Sequence, residues 1–376
     1  MIERIRQILI KEFIQMFRDK KMMGIIFIMP VLQTLVFGYA VTTDVRNITT
    51  AVYDLDNTVV SRELTARFVQ SGYFKVIEYV NNEMRVRELV DRGKVRAVIH
   101  MNAGFAGNLR AGRSVQLQLI VDGTDSNAAG VILDYSAKIV AQFSKKILIT
   151  RLTLVKGAYQ MPAGVDMQTR AWFNENLESR NFYVPGVIAI IVMLITLMLT
   201  SMAVVREKEI GTIEQIMVTP IRQIEFILGK TVPFALIGFA DVILITVIGV
   251  FWFEVPIRGN LFLLFFATAL YIMTTLGIGL FISTVSQTQQ QAMMSTFFFY
   301  FPAVLLSGFM FPIANMPRAI QWLTYLNPLR YFLEIIRGIF LKGIGTEILW
   351  PQMLALMVMG ILTLWFASRR FQKTMT

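Results

Sequence analysis

Five stretches of about twenty residues in this chain carry no charged side chain, and a sixth carries only one. That pattern restricts the fold more than any other feature, because about twenty apolar residues in a helix cross roughly 30 Å of hydrocarbon. The stretches are Gly24–Val41, Pro185–Val205, Val232–Phe253, Leu261–Val285, Ala292–Phe311 and Leu349–Phe366, with Asp241 alone inside the third. Only 16% of the 376 residues are charged and 55% are hydrophobic, and the charges concentrate between Thr42 and Arg180. Two regimes therefore share one chain: a six-helix membrane part and an inserted soluble part. The first stretch reads as an uncleaved anchor rather than a signal sequence, since the residues ahead of it exceed an ordinary n-region.

The formal charge of +11 fits lysines and arginines held at the inner face of a membrane better than a nucleic-acid footprint. Cys is absent, which removes disulfides, thiolate metal sites and thiol catalysis. The lone His100 lies in a strand-like segment and reads as a surface imidazole.

Orientation follows from basic residues in short loops. Arg18, Lys20 and Lys21, then Arg206, Lys208, Arg222 and Lys230, then Arg369, Arg370 and Lys373 all fall on one side. That side is the cytoplasm, with both termini. Arg318, Arg330, Arg337 and Lys342 lie on the other side; helices over 319–341 dipping into the outer leaflet, their basic groups snorkelling outward, reconcile them. The reading by segment is an interface helix over 1–23, spans at 24–41, 184–205, 232–253, 261–285, 292–311 and 348–368, and re-entrant helices over 312–347. The tail, 369–376, is cytoplasmic.

Residues 42–183 lie outside by the same rule and alternate strand and helix: strands at 51–55, 74–80, 95–101 and 115–121, helices at 62–70, 83–91 and 127–154. An extracytoplasmic α/β domain with a mixed sheet follows. Asp54, Asp56, Asp122 and Asp125 could group as a cation site, but aspartates at strand ends usually cap and turn.

Two amphipathic segments flank the membrane part. Ile2, Ile5, Leu9, Phe13 and Met16 form a helical stripe, with Arg4, Lys11, Glu12 and Arg18 mostly off it. In the loop over 206–220, charge is dense before a short helix whose apolar face is Ile213, Ile216 and Met217, stopped at Pro220. Such a helix beneath a membrane domain is either a docking element or a connector resting on the interface.

The loop Arg-Glu-Lys-Glu-Ile-Gly-Thr-Ile-Glu-Gln-Ile-Met-Val-Thr-Pro over 206–220 closely resembles the hallmark of bacterial type-2 ABC transporter permeases. Lys11-Glu12-Phe13 with Arg18, Phe182 to Gly186, Asn327-Pro328 with the residues through Phe332, and Arg337-Gly338 through Gly343 resemble the same family. The likeness spans nearly the whole chain, including the outer domain of the subgroup found with adaptor-dependent drug exporters. Phe173 to Leu177 departs from it, where relatives commonly carry Asn-Pro.

The resemblance implies a multi-pass subunit of a bacterial inner-membrane exporter for drug-like or lipid-like amphiphiles. It pairs with a second copy or a sister permease, and works with a periplasmic adaptor and outer-membrane channel in some systems. Power would come from a separate ABC ATPase carrying ATP and Mg, with no cofactor on this chain. Glu207, Glu209, Gly211, Thr212, Glu214, Gln215, Thr219 and Pro220 would engage that ATPase, with Lys11, Glu12 and Arg18 on the interface helix. The residues agree that nucleotide binds elsewhere: the one phosphate-loop candidate, Gly229-Lys230-Thr231, has Ile224 where the first glycine belongs.

Asp241, about eleven residues into its span, needs pairing or neutralising; it serves either an inward structural hydrogen bond or substrate and proton handling. Phe297, Phe298, Phe299, Tyr300 and Phe301 serve packing and lipid contact, with Phe297, Phe298 and Tyr300 as candidates for a cavity wall. Two rival readings are a mechanical transmitter that drives an outer partner without passing substrate, and a secondary transporter centred on Asp241. The first predicts a closed seam between dimer halves; the second predicts indifference to an ATPase knockout.

Overall fold

A computed structural model describes residues 2–40, 47–156, 172–174, 178–211 and 223–375. The chain divides into two compact units, one of residues 1–42 and 170–376 and one of residues 43–169.

The helical unit opens with α1 (Ile2–Arg18), then α2 (Lys20–Met23), a π turn over Gly24–Ile28 and α3 (Met29–Ala40). It continues with α8 (Ser179–Ile210), α9 (Gln223–Phe251), α10 (Leu261–Val285) and α11 (Gln289–Leu305). Two short helices, α12 (Arg318–Thr324) and α13 (Pro328–Arg337), precede α14 (Thr346–Met375). Among the described residues four helices are long and apolar enough to cross a membrane: α8, most of α9, α10 and most of α14. The stretch over 24–39 is a shorter apolar helix.

The structure shortens the fifth expected span. The span read as 292–311 is helical only from Gln289 to Leu305. Pro302 removes a backbone donor inside it, and Gly308, at φ +82, turns the chain away. The freed carbonyl of Ala303 accepts from Asn327 Nδ2 at 2.7 Å, so α11 is closed by a side chain from a later segment.

α8 is the central post, with Val187 through Val192 almost wholly buried. It is apolar on all faces, as a helix surrounded by helices must be. Small and hydroxylated residues knit its neighbours: Thr196 and Thr275 hydroxyls lie 2.8 Å apart, Thr296 donates to Ser201 at 2.8 Å, and Tyr271 donates to the Ala189 carbonyl at 3.1 Å. A Cβ on Gly279 would fall 2.8 Å from Thr200 Cβ, so α10 meets α8 at backbone distance only because that side chain is missing.

The second unit runs β1 (Ile48–Asp54), α4 (Val59–Gln70), β2 (Phe74–Tyr79), α5 (Glu83–Asp91), β3 (Ala97–Met101), α6 (Phe105–Arg110), β4 (Leu117–Val121) and α7 (Ser126–Lys156). The sheet order is β2-β1-β3-β4, parallel between β1 and both neighbours and antiparallel between β3 and β4. One apolar face packs Phe68, Phe74, Ile99, Met101, Phe105, Ile132 and Phe143. The four aspartates act as caps and turn formers: Asp54 accepts from Ser61 Oγ at 2.6 Å, Asp56 from Thr58 Oγ1 at 2.6 Å, Asp122 from Thr124 Oγ1 at 2.7 Å and Asp125 from the Ala128 amide at 3.2 Å. His100 stacks on Tyr53 and pairs with Gln118 across the strands.

Candidate functional site

The densest charge chemistry in the helical unit sits where α1 lies along the first turns of α9, beside the last turns of α8. α1 and α9 ascend together. Arg4 pairs with Glu225 at 3.7 Å, and a Cβ on Gly229 would fall 2.6 Å from Ile8, so the helices touch there. Four residues further along α1, Glu12 meets Lys230 at 2.6 Å. The same ammonium lies 2.7 Å from Glu207 of α8, whose carboxylate also takes Lys11 at 3.1 Å.

Two cations and two anions thus join three helices. The Lys230 and Glu207 side chains are only 3% and 4% exposed, whereas Lys11 is 54% exposed. Burial at this depth is tolerable because each charge has an opposite partner in contact; removing one leaves the others stranded. A cluster of this kind contributes less to net stability than to fixing one helix arrangement, since its alternatives all leave a buried charge unpaired.

Two sequence expectations shift here. Glu12 was placed off the packed face of α1, but it is buried, because its carboxylate is the counter-ion of Lys230. Glu207 and Glu209 belong to the last turns of α8, not to a free loop, and Gly211 ends the helix at φ +77. Glu209 accepts from the backbone and the side chain of Gln289, setting a carboxylate at the positive end of α11. Lys208 donates to the Thr284 carbonyl at 3.3 Å. The end of α8 is therefore tied to α1, α9, α10 and α11 at once. Thr212, Glu214, Gln215, Thr219 and Pro220 lie outside the described residues. Arg18, with Lys11, Arg206 and Ile14, lines a shallow groove of about 630 Å³ along α1.

The other expected positions separate by role. Asn327 caps α13 through the Leu329 amide at 3.1 Å while holding Ala303, and Pro328 opens the helix. The Arg337 guanidinium lies 3.7 Å over the Phe182 ring, and Nη1 donates to the Gly308 carbonyl at 3.4 Å. A Cβ on Gly338 would fall 2.8 Å from Ile344, so that glycine permits the following turn. Asp241 is fully buried, and neither oxygen has a hydrogen-bond partner among the described residues. Phe298 is 83% exposed and Phe297 half-exposed, while Phe299 and Tyr300 pack on the core. The aromatic run thus covers both faces of α11. By sequence Lys230 reads as a loop cation and as part of a failed phosphate-loop candidate; its signal as a buried partner is a charge at the head of a largely apolar helix, five residues after Glu225.

The family model for ABC-2 family transporter proteins matches residues 20–369. The chain belongs to that family. The probable multidrug ABC transporter permease YbhR of Escherichia coli K12 is 32% identical over 363 residues, covering 96% of both chains. The probable multidrug ABC transporter permease YbhS of the same strain is 30% identical over 372 residues, 98% of this chain and 97% of YbhS. The inner membrane transport permease YhhJ is 28% identical over 332 residues, 86% of this chain and 85% of YhhJ. The apolar helices of this ABC-2 permease agree with a multi-pass membrane protein. Membership also implies an ATPase partner.

Proposed function

We propose that this chain is the membrane subunit of an exporter that moves amphiphilic, drug-like or lipid-like molecules out of the cytoplasm or inner leaflet, with ATP hydrolysed by a separate subunit. The observation that carries the reading is the Glu12–Lys230–Glu207–Lys11 cluster. It joins α1, α8 and α9 at the end of α8 from which residues 212–222 emerge. A push on α1 or on that connection cannot move one helix without disturbing the others. In this reading the ATPase engages the segment through Thr212, Glu214, Gln215, Thr219 and Pro220 together with the Lys11–Arg18 groove. Nucleotide-driven closure then rocks α8 and α9 and alternates a cavity between two permease halves, either two copies or this chain and a sister.

The accompanying topology has six crossings, both termini in the cytoplasm and the sheet unit in the periplasm, where an adaptor and outer-membrane channel would meet it. The short helix over 24–39 and α11 supply the two crossings beyond the four long helices. Being free of native cysteine, the chain permits a direct test. E214C should react with a membrane-impermeant maleimide only after cells are opened, and T124C in intact spheroplasts. The opposite pattern overturns the reading. Export of a fluorescent amphiphile from cells should also disappear with the partner ATPase; persistence at full rate would assign the energy to an ion gradient.

A further inference from the structure

The sheet unit contains a groove that the transport reading does not use. It lies between α7, α6 and β4, has a volume of about 690 Å³, and is walled by Phe105, Leu117, Val140 and Phe143 among other apolar side chains. Its residues on α7 run from Leu133 to Arg151, eighteen positions or about 27 Å of helix. Leu133 and Leu148 remain 51% and 57% exposed along it.

Polar groups are placed unevenly. None of the lining residues is acidic, and two are arginines, Arg113 and Arg151. Arg151 meets the turn that carries Arg113 at one end: a Cβ built on Gly112, which precedes Arg113, would lie 3.7 Å from Arg151 Nη1. Neither guanidinium has a salt bridge or hydrogen bond to a side chain among the described residues; Arg151 is half-buried and Arg113 exposed. Two unpaired cations beside apolar walls gain from an anion.

We propose that this groove binds a single-chain anionic amphiphile, its acyl chain along α7 and its carboxylate or phosphate against Arg113 and Arg151. The volume decides between occupants. It falls within the range of small-ligand pockets. A docked helix about 10 Å across and 27 Å long would need on the order of 2000 Å³. The site goes beyond the transport reading and does not depend on it, since binding is read without the ATPase.

The test uses the full chain in phosphatidylcholine nanodiscs, a diazirine-bearing palmitate as probe, and peptide mapping of the photo-adducts. Adducts are expected on 105–119 and 133–151, about tenfold more from the acid than from the matching diazirine-bearing hexadecanol, as one charge-assisted contact supplies. R113Q/R151Q should erase that preference while the chain remains monodisperse, and A137W, which fills the groove, should suppress labelling by both carriers. Adducts confined to the apolar helices, or equal labelling by acid and alcohol, overturn the proposal. So does efficient bismaleimide cross-linking of L148C between chains, which would make the groove a seat for a second copy.

Discussion

The Lys230 ammonium lies 2.7 Å from Glu207 and is the point at which α1, α8 and α9 are held together. Lys230→Met should therefore cost far more than the loss of one surface pair. It leaves the buried carboxylates of Glu12 and Glu207 facing each other with only the exposed Lys11 nearby, a loss of about 3–5 kcal/mol for a stranded buried charge. Thermal unfolding of the purified chain should shift down accordingly. Adding Glu12→Gln and Glu207→Gln to Lys230→Met should recover much of the stability by removing the stranded charge, yet leave substrate-dependent stimulation of the partner ATPase impaired. Recovery of both together would assign the cluster to stability alone.

Gly229 tests the same junction without touching a charge. Its missing side chain lets Ile8 approach, and a Cβ there would sit 2.6 Å from Ile8 Cγ2. Gly229→Val should overpack the contact by about 1–3 kcal/mol and lift α1 off α9. Ile8→Ala in the same chain should relieve it, so a non-additive double-mutant cycle in melting temperature checks the contact. Simple additivity would place Ile8 away from Gly229.

Much of this arrangement was legible from the residues. Short apolar runs expose the strands, because Val95 to Met101 and Val115 to Val121 are rich in β-branched and aliphatic residues and are followed by turn formers. Periodicity missed α6, whose six residues are too few to show a period. Boundaries failed where a local breaker acts inside an apolar run: composition carries the fifth stretch to Phe311, but Pro302 and Gly308 end the helix at Leu305. The site was half legible. Glu207 and Glu209 stood out as charges beside a span, while the partnership of Glu12 with Lys230 joins residues 218 positions apart. An amphipathic stripe assigns acids to the wet face by default, and only the tertiary counter-ion reverses that.

Asp56 gives the sheet unit a defined acid sensitivity. Partial burial opposes its charge, but the Thr58 hydroxyl at 2.6 Å and backbone donors led by the Ala106 amide at 3.0 Å outweigh it and hold the carboxyl below its usual range. A carboxyl with a folded pKa below its unfolded value, here the ordinary 3.8, stabilises above that value and loses its contribution as pH falls through the folded one. Asp56→Asn should lower sheet-unit stability near neutral pH by about 1 kcal/mol, reduced from a buried pair by solvent contact. In calorimetry of the full chain, the gap between wild type and variant should close as pH drops below about 4. A gap independent of pH would mean that shape, not charge, makes the contact.

Asp241 poses the last test, because it is fully buried in α9 with no hydrogen-bond partner for either oxygen among the described residues. An acid at this depth of an apolar helix is expensive unless something outside these contacts receives it. If its role is structural within this chain, Asp241→Asn keeps the size and a polar group, and export should stay within about twofold. Asp241→Leu replaces an unpartnered buried acid with an apolar filling, and should raise the melting temperature of the purified chain. Loss of export in Asp241→Asn with the melting temperature unchanged would instead make the ionisable proton part of transport, since the amide differs from the acid in little else.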